Sequence, residues 1–531
     1  MSRRPAEERE SGRPAVAGFV SGLAALVLYG ATTNPDAWHG DVAQYHTLAA
    51  TGGIAHAGYP AFVMVLRAFG LLPASTFALR ANLVSCLAGA LAVGLAGYAA
   101  ARLARNTALG IVSALALALS LTLWYNGTHA SVHAFTLPIS AGLFLLALRF
   151  SRGPSTRLAF AVGLLAGLGL VSHLSVLGLI PVAAAAAWVA WRRRGLRMAH
   201  LGAAAGGFVI GLLPLCYLLA QDRPDQPMNY IEYTLDLGSG EYWPVGSPPP
   251  SRLDRARWLL TGRQFLSDSD YRPSQDVPHR LSYLALDVGV NEFPFLGLPL
   301  AALGAWALWR RRSRTALMLG LWLAGVLGWL SYAAYPNIVR SFFLPGLWAL
   351  TLFIAAGLDA IRARARWTAT VAGGLVILAP FVRLQAPELP DRIAKTGSLA
   401  RNVWSEWPRT WSPWSVDVSW EAFGHLVMKV LPPRAVVLST WNEGMTLRYF
   451  RYAQVLRPDV DVIMTGTEPR RVERALSSAR QAGRPVFASF PPALAGLDGV
   501  ARPADPRLRG SLWIIEAPRQ SVHRPAPGPM P

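Results

Sequence analysis

The stretch "AVAGFVSGLAALVLYGATTNPDAWHGDVAQYHTLAATGGIAHAGYP", residues 15–60, holds the decision about the fold. Its first part, residues 15–31, is apolar and uncharged. That is long enough to cross a hydrocarbon core of about 30 Å as a helix. Its last part, residues 38–60, sets one carboxylate, Asp41, among His39, His46 and His56. What those groups do depends on the side of the membrane on which they lie.

Runs like the first recur along the chain. Of its 531 residues 53% are hydrophobic and only 15% charged, where a soluble protein carries about a quarter. The expected spans are eleven: 15–33, 82–101, 107–124, 131–148, 158–172, 174–191, 200–220, 293–309, 315–334, 341–358 and 367–383. No small-residue cleavage site follows the first run, so it reads as a retained span. The fold class is therefore an α-helical polytopic membrane protein.

The net charge of +20 does not point to nucleic acid, because the basic residues sit in short clusters between apolar runs. Such clusters orient helices in a bilayer. "RRPAEER", "ARLAR", "RFSRGPSTR", "WRRRGLR", "WRRRSR" and "IRARAR" alternate with connectors poor in clustered arginine, which places the former in the cytoplasm. The outer face then receives loops 34–81 and 221–292, the "NGTHASVH" and "YPNIVRS" turns, and everything after 384. Within the first loop, "YPAFVMVLRAFGLL" (59–72) has the amphipathic look of an interfacial segment. Cys86 and Cys216 both fall in apolar runs and read as packing residues rather than a disulfide.

Beyond the membrane region 1–383, residues 384–417 form an aromatic-rich linker suited to the membrane interface. Residues 418–520 change character: "AVVLST", "DVDVIMTG", "PVFASF" and "LWIIEA" read as strands alternating with helical segments, the pattern of a small α/β domain. The tail 521–531 is expected to be disordered.

None of the spans has Asp, Glu, Lys or Arg near its centre, whereas ion-coupled transporters place ionisable groups there. Polar groups gather instead at the outer ends of the spans. Asp41, His39, His46, His56 and Tyr59 lie in the first loop; His129 and His133 precede the fourth span. His173 follows the fifth, and Arg80 and Arg340 precede the second and tenth. One carboxylate with histidines and arginines suits group transfer, the acid taking a proton from a hydroxyl and the arginines holding a phosphate leaving group. Simpler readings exist for each: a helix cap for Asp41, a metal site of Asp41 with His39 and His46, interhelical hydrogen bonds for His133 and His173, and snorkelling for Arg80 and Arg340.

The order of these features resembles the bacterial multi-pass family related to protein O-mannosyltransferases, in the GT-C glycosyltransferase superfamily. The likeness rests on "GDVAQYHTLAATGGIAHAGYP", "RANLVSCLAGALAV", "LWYNGTHASVHAF", "GLGLVSHLSVLGLIP", "YPNIVRSFFLP" and "LPPRAVVLSTWNEGMTLRYFRYAQVLRPDVDVI", in chain order. The resemblance implies a GT-C-like membrane domain in the bacterial inner membrane, with the active site and C-terminal domain extracytoplasmic. It further implies a polyprenyl-phosphate-linked sugar as donor, a protein or glycan hydroxyl as acceptor, and Asp41 as the acid that activates or positions it. His56, Tyr59, Arg80, His133, His173 and Arg340 would contact substrate. A lipid-linked donor would explain why no nucleotide-binding glycine fingerprint is evident.

Gln44, Ser131 and Asn337 stand where the family often has acids. That argues against a divalent metal, so no cofactor is expected and an inverting, metal-independent transfer fits. Two rivals remain: a lipid or glycan transporter, which would move substrate without a covalent product, and a non-catalytic subunit, which would tolerate loss of Asp41.

Overall fold

The computed structural model describes residues 13–73, 75–193, 195–231, 251–262, 281, 284–285, 287–311, 313–332, 339–385, 419–497, 501–505 and 511–515. Most of the second outer loop, the aromatic-rich linker from 386 onward, Asn337 and the tail 521–531 lie outside the described residues. The chain divides into two compact units: Met1–Asp36 with Leu48–Glu232 and Gly240–Asp417, and Ala37–Thr47 with Tyr233–Ser239 and Val418–Pro531.

The first unit is helical. Its chain order begins with α1 (Pro14–Thr32), α2 (Gly40–Thr51, which starts in the second unit), α3 (Pro60–Gly70), α4 (Phe77–Ala104), α5 (Thr107–Ala118) and α6 (Leu121–Thr128). It continues with α7 (Val132–Phe150), α8 (Thr156–Leu170), α9 (Ile180–Arg192), α10 (Met198–Gly211) and α11 (Pro214–Gln221). Helices Gly297–Arg310, Arg314–Tyr332, Leu344–Arg362 and Arg366–Gln385 follow. Each apolar run read from the sequence is helical over most of its described residues. Among the described residues seven helices are long and apolar enough to cross a membrane alone, or eight if a bent pair counts as one span. This is a multi-pass membrane protein.

The bent pair is α5 and α6, turned 68° at Leu119–Ser120, where the sequence suggested one straight run. Ser120 is extended at this point and gives its hydroxyl to the Leu117 carbonyl (2.8 Å), offering the backbone an alternative to the helix. Elsewhere the starts are conventional. Thr76 and Asn106 accept the Leu79 and Leu109 amides through their side chains, capping α4 and α5.

Small residues bring the helices together. A side chain on Gly94 of α4 would lie 3.0 Å from the Gly18 carbonyl of α1, so the two backbones touch. Gly304 stands against Phe353 and Gly357 in the same way. Large residues fill the centre, where the Trp322 ring lies 4.9 Å from Phe144 and 5.3 Å from Trp348.

The second unit contains a mixed five-stranded sheet of order β2-β1-β3-β5-β4. The strands are β1 (Val436–Ser439), β2 (Asp461–Met464), β3 (Val486–Ala488), β4 (Ala501–Pro503) and β5 (Trp513–Ile515). β1 pairs in parallel with β2 (Val436 beside Asp461) and with β3 (Val436 beside Val486); β5 is antiparallel to β3 and β4. Helices Trp441–Arg448 and Pro469–Gln481 connect the parallel strands. The four strands expected from sequence are present. β4 was not expected, because "ARP" is short and contains a proline, which is tolerated only at a sheet edge. Asp461 opens β2; burial pushes its carboxyl up, but the hydrogen bond from Arg484 and the charges of Arg451 and Arg484 outweigh it and hold it below the usual range.

Gly94→Leu should force α1 away from α4 and cost about 1–3 kcal/mol. The measurement is the thermal midpoint of the detergent-solubilised protein, and an unchanged midpoint would contradict the close contact.

Candidate active site

In the first unit the chain after α2 turns sharply through "GGIAHAGYP". Gly53 and Gly58 take positive φ (116° and 84°), and Tyr59 does so as well (φ 46°) before Pro60 begins α3. Left-handed backbone is uncommon for a tyrosine. Its effect is to set the Tyr59 ring 5.5 Å from His56, edge to face, and 5.6 Å from His173. His173 precedes the 3-10 turn Leu174–Leu179, and its Nδ1 accepts the Ser175 amide (3.1 Å). That bond assigns the ring proton to Nε2. Burial first, then the His133 and His56 charges, hold the imidazole well below its usual value, so it is neutral at physiological pH.

His133, in the first turn of α7, places its ring 4.7 Å from His173. The Phe342 ring closes the group at 4.8 Å from His133 and 5.2 Å from His173. His56, Tyr59, His133 and His173, scattered over more than a hundred residues of sequence, therefore form one aromatic and imidazole wall.

Phe342 belongs to the short helix Val339–Phe342, which also carries Arg340. Arg340 pairs with Asp287 at 3.1 Å, both side chains nearly buried (10% and 2% exposed). Asn291 donates to Asp287 (2.6 Å) and accepts from Arg383 Nε (3.0 Å). Glu292 ends a single π-helical turn, Val288–Glu292, and receives the Thr122 hydroxyl (2.5 Å) and amide (3.1 Å). Burial, and next the charge of Asp287, push its carboxyl well above the usual range, against the Thr122 bonds and Arg340. The network thus holds two guanidinium groups, Asp287 and an acid inclined to keep its proton.

The other sequence candidates make contacts of their own. Arg80 donates to the Gly70 carbonyl (2.8 Å) and lies over the Phe77 ring (4.6 Å), an anchor for the end of α3. His129 stacks on Tyr125 (4.5 Å) and bonds its carbonyl (3.0 Å). Ser131, at a position of a family acid, caps α7 and gives its hydroxyl to Asn126 (2.5 Å). Asp41 opens α2 in the second unit, half-buried, and accepts the Trp441 indole N–H at 2.8 Å. His46 and Gln44 are fully buried there. Among the described residues no three His, Cys, Asp or Glu side chains are grouped to hold a metal ion.

Asp287, Glu292 and Arg383 were not singled out by sequence. The signal was present as "LDVGVNEF", two acids immediately before an apolar run. A search for acids inside spans passes over it.

Comparison with known proteins agrees with this architecture. Residues 41–195 match the family described as "Protein O-mannosyl-transferase TMEM260 N-terminal domain". The mouse protein O-mannosyl-transferase TMEM260 is 25% identical over 492 residues, 85% of this chain. The chain spans 62% of that protein's length. ArnT from Cupriavidus metallidurans, crystallised with undecaprenyl phosphate, has the same fold with a TM-score of 0.58 at 14% identity, over 94% of this chain and 97% of its own. Its apo structure gives 0.50 at 14% identity, covering 88% and 92%. The likeness to GT-C protein O-mannosyltransferases read from the motifs is borne out, as is the GT-C-like fold.

Glu292 holds its proton to higher pH in the folded chain than in the unfolded one. The stability this contributes is complete below the ordinary carboxylate range and is lost as pH rises through the raised value. Glu292→Gln stays neutral throughout, so its stability should improve relative to the wild type between about pH 5 and 9. Parallel thermal-midpoint profiles for the two proteins would contradict the assignment.

Proposed function

We propose that the protein is a membrane glycosyltransferase that moves one sugar from a polyprenyl phosphate to a hydroxyl of a protein or glycan at the outer membrane face. The observation that carries this reading is the short helix Val339–Phe342. It presents Phe342 to the His133–His173 pair and Arg340 to a buried ionic network. An aromatic and imidazole surface suits a sugar ring, and a guanidinium two residues away suits the phosphate attached to it. The likeness to a protein O-mannosyl-transferase and to a protein crystallised with undecaprenyl phosphate supports the same substrates.

In this reading the acceptor oxygen attacks the anomeric carbon on the face opposite the phosphate, and configuration inverts. The Asp41 carboxylate takes the hydroxyl proton as the new C–O bond forms. The bond from the anomeric carbon to the phosphate oxygen breaks, and the lipid phosphate departs with both electrons. Arg340 neutralises that leaving charge, exchanging part of its pairing with Asp287 for the phosphate. Neutral His173, with its proton on Nε2, donates to a sugar oxygen; His56, Tyr59 and His133 complete the sugar contacts. Arg80 supports the loop through Gly70.

Asp41→Asn should abolish sugar transfer from a polyprenyl-phosphate donor by purified protein while insertion and thermal midpoint persist. Normal turnover in that variant would refute Asp41 as the base. Arg340→Lys retains the charge but loses the two-pronged donor. It should weaken binding of the lipid phosphate product about tenfold or more. Unaltered inhibition by free polyprenyl phosphate would remove Arg340 from the phosphate site.

A further inference from the structure

The segment that carries Asp41 is built into the C-terminal unit by contacts that span nearly four hundred positions of sequence. The Ala37 amide donates to Glu421 (2.8 Å), and the Trp38 carbonyl accepts the Thr446 hydroxyl (3.0 Å). His39 places its ring 4.8 Å from Trp420, with Nδ1 3.5 Å from the Asn442 side-chain oxygen. Gly40 has φ +56°, where another residue would be strained, and a Cβ there would meet the Asn442 side-chain oxygen at 2.7 Å, so glycine is favoured. The next residue is Asp41, whose Oδ1 takes the Trp441 indole N–H. Further along, His46 meets the Tyr449 ring at 5.7 Å.

Half of these partners belong to one element. Trp441, Asn442 and Thr446 lie on the helix Trp441–Arg448, which leaves the carboxyl end of β1 in the middle of the parallel strands. In open α/β sheets that is where ligands are met. Here the place is taken by the chain's own first-loop acid. An indole N–H on a carboxylate is a charge-assisted hydrogen bond, and the indole is rigid and cannot follow a drifting partner. It therefore restrains the carboxylate's position.

We propose that Trp441 is a positioning residue for Asp41. This rests on the reading of Asp41 as the base. Trp441 touches the acid and not the reacting atoms. Its loss should slow the chemical step and leave donor binding alone, because misplacing a catalytic group by about 1 Å costs up to about a hundredfold in rate.

The test compares Trp441→Phe, Asp41→Asn and wild type for transfer from a polyprenyl-phosphate sugar in detergent. Trp441→Phe should lower kcat about 10- to 100-fold with KM for the donor unchanged. If Trp441→Phe does not fold, site-specific benzothienylalanine at 441 replaces it. That residue keeps the shape of tryptophan and substitutes sulfur for N–H, so the same fall in kcat is expected. A wild-type kcat in the folded variant, with Asp41→Asn inactive, overturns the positioning role and leaves the base assignment standing. A rise in KM with kcat retained also overturns it. Full turnover by Asp41→Asn overturns the base assignment itself, whatever Trp441→Phe does.

Discussion

Lipid tails are as apolar as leucine, so a helix in a bilayer gains no hydrophobic free energy by exchanging them for another helix. Association depends on close van der Waals packing, and close packing depends on residues small enough to let backbones touch. Several of the chain's 48 glycines answer that constraint. Gly18 and Gly94 bring α1 against α4, Gly163 and Gly207 join α8 to α10, and Gly304 and Gly357 join two later helices. Aromatic blocks such as Trp322, Trp348 and Phe144 then fill what the small residues leave open.

The same medium governs the polar groups. Backbone amides near apolar surroundings need partners, and the chain supplies them at helix ends: Asn82 binds the Asn34 carbonyl and the Ala130 amide, and Ser85 binds the Ser131 amide. Charges are more demanding. Arg340, Arg383, Asp287 and Glu292 tolerate burial by sharing a network, and burial inclines Glu292 to keep its proton.

Much of this was legible in the chain. Apolar length set the helices, arginine clustering set the expected orientation, and β-branched runs separated by helical spacing set the sheet. The site was legible in part. His56, Tyr59, His133 and His173 were named from their places at span ends, and tertiary structure puts their rings within 6 Å of a neighbour in the set. Arg80 was named on the same grounds, yet its guanidinium closes α3 at Gly70. Sequence position gave the two arginines the same description; the direction of the side chain separates them.

Sequence alone determined the helical membrane class, because hydropathy acts residue by residue and needs no partner to be read. It also determined the sheet strands and the family likeness, which are local patterns. Only the tertiary structure decided which groups meet. The pairing of Asp41 with Trp441 and of Arg340 with Asp287, and the closure of the imidazole wall by Phe342, are contacts between distant segments. They depend on how helices and strands approach in space, and a single side-chain hydrogen bond leaves no periodicity in the chain from which to infer it.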